Sequence, residues 1–113
     1  MNKDQIIKSS TEFSEIIQKK QFYKNFYFSL YYKKSTKTLY GITVPKKVGH
    51  AVIRNKLKRQ IKNIIIMNEK NIQKGYNYVI IIKEEAKNLN YRELETKLME
   101  LLQKVRNEWK KEI

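Results

Sequence analysis

Residues 39–67 read LYGITVPKKVGHAVIRNKLKRQIKNIIIM, and the change of period inside this stretch decides the fold. Leu39–Val44 has the composition of a strand and ends at Pro45, which has no N–H with which to continue a central ladder. Lys46 and Lys47 follow, Gly49 lets the backbone turn, and from Ala51 to Met67 the apolar positions take helical spacing. Ile53, Leu57, Ile61 and Ile64 form one stripe, which the spacing predicts to be core. On the opposite arc lie Arg54, Lys58 and Lys62, with Asn55 and Arg59 beside them. Ile65 and Ile66 fall off the stripe, which predicts a far end buried on more than one side.

Downstream, Gly75 marks a turn before Tyr78–Ile82, an apolar β-branched run of the kind found in a buried central strand. The two strands and the helix between them make a β-α-β unit whose strands are candidate parallel neighbours; the usual hand of such a crossover is right. Asn90 and Glu93 form an Asn variant of the capping box, and a helical stripe from Tyr91 through Leu94, Leu98, Leu101, Leu102 and Val105 to Trp109 follows.

Upstream, Ser9 and Glu12 fit a capping box that opens a short helix with Phe13, Ile16 and Ile17 on one side. Gln21–Lys24 reads as a turn. Phe26–Tyr32 alternates, with Phe26, Phe28, Leu30 and Tyr32 on one face and Tyr27, Ser29 and Tyr31 on the other. The order helix, two strands, helix, strand, helix defines an α+β fold, an α/β sandwich with helices packed on a small mixed sheet. At 113 residues, with no repeat and no linker, the chain is expected to form one domain over residues 1–113.

Charge is distributed unevenly. Residues 16–68 hold thirteen of the 25 Lys and Arg and no Asp or Glu, so this half carries nearly all of the net charge of +14. The remainder holds twelve basic residues against eleven acidic ones. A field of one sign repels itself and attracts a polyanion, and nucleic acid is the first candidate. Arg54, Lys58 and Lys62 on successive turns suit a phosphate backbone, Asn55 can both donate and accept, and the helix start at Gly49–Ile53 adds free N–H groups. A solvated Lys-rich helix is the plainer alternative. It fares poorly because no acid stands within helical reach of these bases.

Zero Cys and one His leave no thiolate or paired-His metal site. No apolar run approaches a membrane span, and the apolar stripe of the basic helix is committed to the core, so no membrane partner is expected. The N-terminal Met1–Lys8 has no apolar leader region and is read as unprocessed and cytoplasmic.

The run Lys46-Lys47-Val48-Gly49-His50-Ala51-Val52-Ile53-Arg54-Asn55-Lys56-Leu57-Lys58-Arg59 closely resembles the Arg-Asn-Arg signature of the bacterial ribonuclease P protein component. The resemblance extends over nearly the whole chain, including the Phe-led first helix, the aromatic strand and Gly41-Ile42-Thr43-Val44 before the lysines. It implies a protein subunit that binds a catalytic RNA and assists endonucleolytic removal of the 5′ leader from precursor tRNA. The hydrolytic site and its Mg2+ belong to the RNA; no cofactor on the protein and no small-molecule substrate are implied. The β-α-β crossover would be left-handed. Carried over by position, Lys46, Lys47, Arg54, Asn55, Lys56, Lys58, Arg59 and Lys62 would bind the ribonuclease P RNA. Phe13, Ile17, Phe26, Tyr27, Phe28 and Tyr31 would line the cleft for the precursor-tRNA leader. Ile17 stands where the family has a second aromatic, and Pro45 and Asn63 also depart from its usual residues.

Two other classes fit parts of the pattern. A ribosomal-type RNA-binding protein or an RNA chaperone matches the composition but not the signature. A self-sufficient protein nuclease meets a chemical obstacle: His50 is the only His, and residues 16–68 offer no carboxylate to orient it or hold a metal.

Overall fold

The computed structural model describes residues 5–7 and 9–113; Met1–Asp4 and Lys8, part of the N-terminal segment read as unprocessed, lie outside the described residues. The elements run α1 (Ser10–Gln18), β1 (Phe22–Lys24), β2 (Phe28–Lys34), β3 (Leu39–Thr43), α2 (Ala51–Met67), β4 (Tyr76–Ile82) and α3 (Tyr91–Glu112). The sheet order is β1-β2-β4-β3, with β3 parallel to β4 and the other pairs antiparallel. The fold is thus the expected mixed sheet with packed helices, and α2 is the crossover between its two parallel strands.

Alternation along the strands divides the apolar residues between two faces. Phe28, Leu30 and Tyr32 of β2 and Tyr78, Ile80 and Ile82 of β4 join Leu57, Ile61 and Ile64 of α2 and the Leu94–Val105 stripe of α3 in one core. Full burial of each Leu or Ile here stabilises by about 1.5–3 kcal/mol. On the other face Val79 packs with Ile16 and Ile7, while Phe13, Ile17, Tyr31, Leu39 and Ile81 lie half-buried around them. β4 is therefore covered on both sides, which explains its unbroken apolar run.

Local chemistry sets the element ends. Asn90 and Glu93 complete the capping box, with Glu93 N–H donating to Asn90 Oδ1 at 2.9 Å and Asn90 N–H to Glu93 Oε1 at 3.0 Å. At α1 the Ser9 half of the box forms, Oγ accepting from Glu12 N–H at 3.4 Å. Gly75, with φ of 88°, takes the left-handed conformation that the turn into β4 requires.

Four local expectations are corrected. Residues 22–24, read within a turn, form β1, because Phe22, Tyr23 and Lys24 pair with Tyr31, Leu30 and Ser29. β2 starts at Phe28 rather than Phe26, because Asn25 Oδ1 captures the N–H groups of Tyr27 and Phe28 in a side-chain-closed turn, each at 2.9 Å. Ile53 is not core but 38% exposed, its side chain lying against Gly49 in the loop before α2. At the far end of α2, Ile65 is buried but Ile66 is exposed, so only one of the two residues off the stripe finds cover.

Candidate nucleic-acid interface

β3 delivers the chain to a short 3-10 turn at Lys46–Val48, which anchors through buried Val48 and leaves both lysines exposed. Gly49 is extended, and its value is steric. A Cβ there would stand 3.2 Å from the Ile53 side chain that closes over it. Arg54 then folds back, its Nε donating to Gly49 O at 3.1 Å. It is half-buried, as is Lys62 two turns on, while Lys58 between them is exposed.

Lys46, Lys47, Asn55, Lys56, Lys58 and Arg59 are exposed and Lys62 is half-exposed. Among the described residues the ion pairs are Lys33–Glu15, Lys34–Glu112, Lys87–Glu84 and Lys97–Glu100, all away from α2. Among the described residues the α2 cations thus form no ion pair with an acid, and their field is directed outward.

The cleft residues separate into three places. Phe13, Ile17 and Tyr31 come together on the α1 face of the sheet. Phe28 is fully buried on the opposite face, under α2 and α3. Tyr27 packs toward that same core, with Lys97 Nζ 6.0 Å from its ring centre. Phe26 is 66% exposed in the β1–β2 hairpin, edge-on to Tyr27. Period two forbids Phe28 and Tyr31 from sharing a face, so a single cleft does not take all six residues.

Two contributors to the cleft were not picked out from the sequence. Phe22 lies against Tyr31, ring centres 5.2 Å apart, and extends the aromatic surface on to β1. Gly41 gives the Phe13 ring its seat: a Cβ there would stand 2.6 Å from Phe13 Cε2. The Gly between strand residues was the available signal, because a missing side chain in a strand often marks a close approach. Lys58 and Lys62 of α2 reach the same spot. With Phe13, Gly41, Ile42 and Tyr40 they line a cavity of about 130 Å³, which joins the basic helix to the aromatic cleft.

Away from this region, the Tyr23 and Tyr32 hydroxyls both donate to Glu108 Oε2, tying β1 and β2 to α3. Burial, followed by the neighbouring Glu108, raises the Tyr32 phenol above its ordinary value. Burial likewise raises Tyr78, and pushes Tyr40 up to about 12. These groups hold the fold together. Among the described residues no three His, Asp or Glu side chains gather as a group able to hold a metal, and no helix is long and apolar enough to cross a membrane.

An α+β sandwich with an unpaired cationic helix opening on to an aromatic cleft defines a nucleic-acid-binding protein. The family model described as Ribonuclease P matches residues 1–106. The ribonuclease P protein component of Mycoplasma mycoides subsp. mycoides is 38% identical over 109 residues, covering 94% of this chain and 100% of that protein. Among solved structures, a Staphylococcus aureus RNase P protein mutant superposes with a TM-score of 0.86 at 27% identity, covering 92% of this chain and 90% of that one. The RNase P protein from Thermotoga maritima gives 0.81 at 28% identity, covering 87% and 94%. The chain belongs to the ribonuclease P protein family. Membership makes it the protein part of an endoribonuclease complex with an RNA partner.

Proposed function

We propose that the cationic face of α2 docks this chain on the ribonuclease P RNA, while the cleft between α1 and the sheet holds the single-stranded 5′ leader of precursor tRNA. The observation that carries this reading is the 130 Å³ junction, where Lys58 and Lys62 meet Phe13 and Gly41. A strand leaving a helical RNA bound on α2 enters the cleft there without crossing an acidic surface. Lys46, Lys47, Lys56, Lys58, Arg59 and Lys62 neutralise phosphates, and Asn55 offers a donor and an acceptor to a sugar or base edge. Phe13, Tyr31 and Phe22 present ring faces to bases of any identity, and Ile17 supplies an apolar wall.

The protein holds and orients; hydrolysis of the phosphodiester, with its Mg2+, belongs to the RNA. Binding the leader beside the docking face adds affinity that mature tRNA lacks, so the complex releases product more readily than substrate. This activity is a cytoplasmic one.

The test is cleavage of a leader-bearing precursor tRNA at low magnesium by a bacterial ribonuclease P RNA, with and without this protein. Rescue by the pair, with the protein alone inert, is the expected result. Tight, salt-sensitive RNA binding without rescue overturns the leader reading, and cutting by the protein alone overturns the assignment of chemistry to the RNA.

A further inference from the structure

The sheet face that carries α1 is covered unevenly. Its middle row runs Phe22–Tyr31–Val79–Gly41 across β1, β2, β4 and β3, and α1 lies over Val79 and Gly41, both buried. The adjacent row runs Lys24–Ser29–Ile81–Thr43. It lies toward the end of the sheet where β3 leads into the Lys46–Val48 turn. None of its members is buried: Lys24 is exposed, and Ser29, Ile81 and Thr43 are half-exposed.

We infer that this second row is a ribose-reading floor, in which the Ser29 and Thr43 hydroxyls hydrogen-bond the 2′-hydroxyls of a single-stranded RNA laid across the sheet. The inference rests on the reading of this face as the leader cleft, and names what the cleft recognises in the leader.

The register places Ser29 and Thr43 on either side of Ile81, on the same face. Three inter-strand steps of about 4.8 Å make the row roughly 14 Å long. Other strand-end and turn hydroxyls are engaged: Thr38 Oγ1 accepts from Gly75 N–H at 2.8 Å and Ser35 Oγ from Lys37 N–H at 3.3 Å. Ser29 and Thr43 have no side-chain hydrogen bond among the described residues, so both their donor and their acceptors face the open row. An apolar floor beside Ile81 would be better served by Val or Ile than by Ser29. A hydroxyl is both donor and acceptor, as is the 2′-hydroxyl, which is what distinguishes RNA from DNA at a given sugar. Lys24 at one end and Lys46 and Lys47 beyond the other supply cations for the flanking phosphates.

The experiment uses the assembled complex with ribonuclease P RNA and compares affinity for three substrates. These are precursor tRNA with an all-ribose leader, the same with 2′-deoxy sugars in the leader, and leaderless tRNA. Wild type should prefer the ribose leader by about five-fold for each hydroxyl engaged. In the Ser29→Ala, Thr43→Val double variant that preference should fall to about one, and Thr43→Ser should retain it, which separates loss of the hydroxyl from loss of the fold. A ribose preference that survives in the double variant overturns the inference. So does a wild-type complex that prefers either leader over leaderless tRNA equally, which leaves the cleft reading intact. Indifference to the leader altogether overturns both.

Discussion

The two faces of the sheet are built from the same strands and differ in how they are finished. The face under α2 and α3 is closed: Phe28, Leu30, Tyr78, Ile80 and Ile82 are without solvent contact. The face under α1 is half-open, with Phe13, Ile17, Tyr31 and Ile81 each partly exposed around buried Ile16 and Val79. A helix of nine residues cannot cover a four-stranded sheet, and what it leaves bare is aromatic and hydroxylic, with the exposed Lys24 at its edge. Stability is therefore concentrated on one face, and the other is free to bind.

Breaking the closed face gives the largest effect. Phe28→Ala should destabilise by about 3–5 kcal/mol in urea unfolding. A loss below 1 kcal/mol would mean that the face is not closed. Breaking the open face should separate binding from folding. Phe13→Ala should weaken binding of leader-bearing precursor tRNA by about 1–3 kcal/mol, the range for one stacked base, and leave mature tRNA nearly unaffected. Equal loss for both substrates would remove Phe13 from the cleft. On α2, Arg59→Ala should weaken assembly with ribonuclease P RNA and lower the slope of log K against log salt by about one. An unchanged slope would show that Arg59 meets no phosphate.

The smallest effect concerns alkaline pH. Burial, followed by Glu69, pushes the Tyr40 phenol up from 10.0 to about 12, so the folded state holds its proton more tightly than the unfolded chain. Its contribution is complete below about pH 10 and is lost as pH rises from 10 to about 12. Tyr40→Phe should flatten the fall of stability across that window, as followed by chemical unfolding at a series of pH values. An identical fall in the variant would remove Tyr40 as a source.

Much of this was legible in residue order. The strand-to-helix change at Pro45, the Leu57–Ile61–Ile64 stripe, the parallel pairing of the flanking strands and the Asn90 capping box all depend on local spacing, and they form as read. What was not legible depends on partners far along the chain. Phe22–Lys24 has no period of its own and becomes a strand only by pairing with β2. Ile53 fits the stripe by count, but the surface beneath it is a loop. The Tyr23–Glu108 bond spans 85 positions and leaves no local trace. The assignment of Phe28 to the cleft is different in kind, because its alternation with Tyr31 was already in the sequence and pointed it to the opposite face.

The bond from Arg54 Nε to Gly49 O bears on the entropy of recognition. A flexible basic loop must be immobilised when RNA arrives, and side-chain ordering alone costs about 0.5–1.5 kcal/mol for each rotamer-rich residue. Here the loop is clamped to the helix before any ligand comes, by one nitrogen of a guanidinium whose other nitrogens stay available for phosphate. If this loop is the docking surface proposed above, the bond lowers the ordering that binding must supply and leaves more of the interaction energy for affinity.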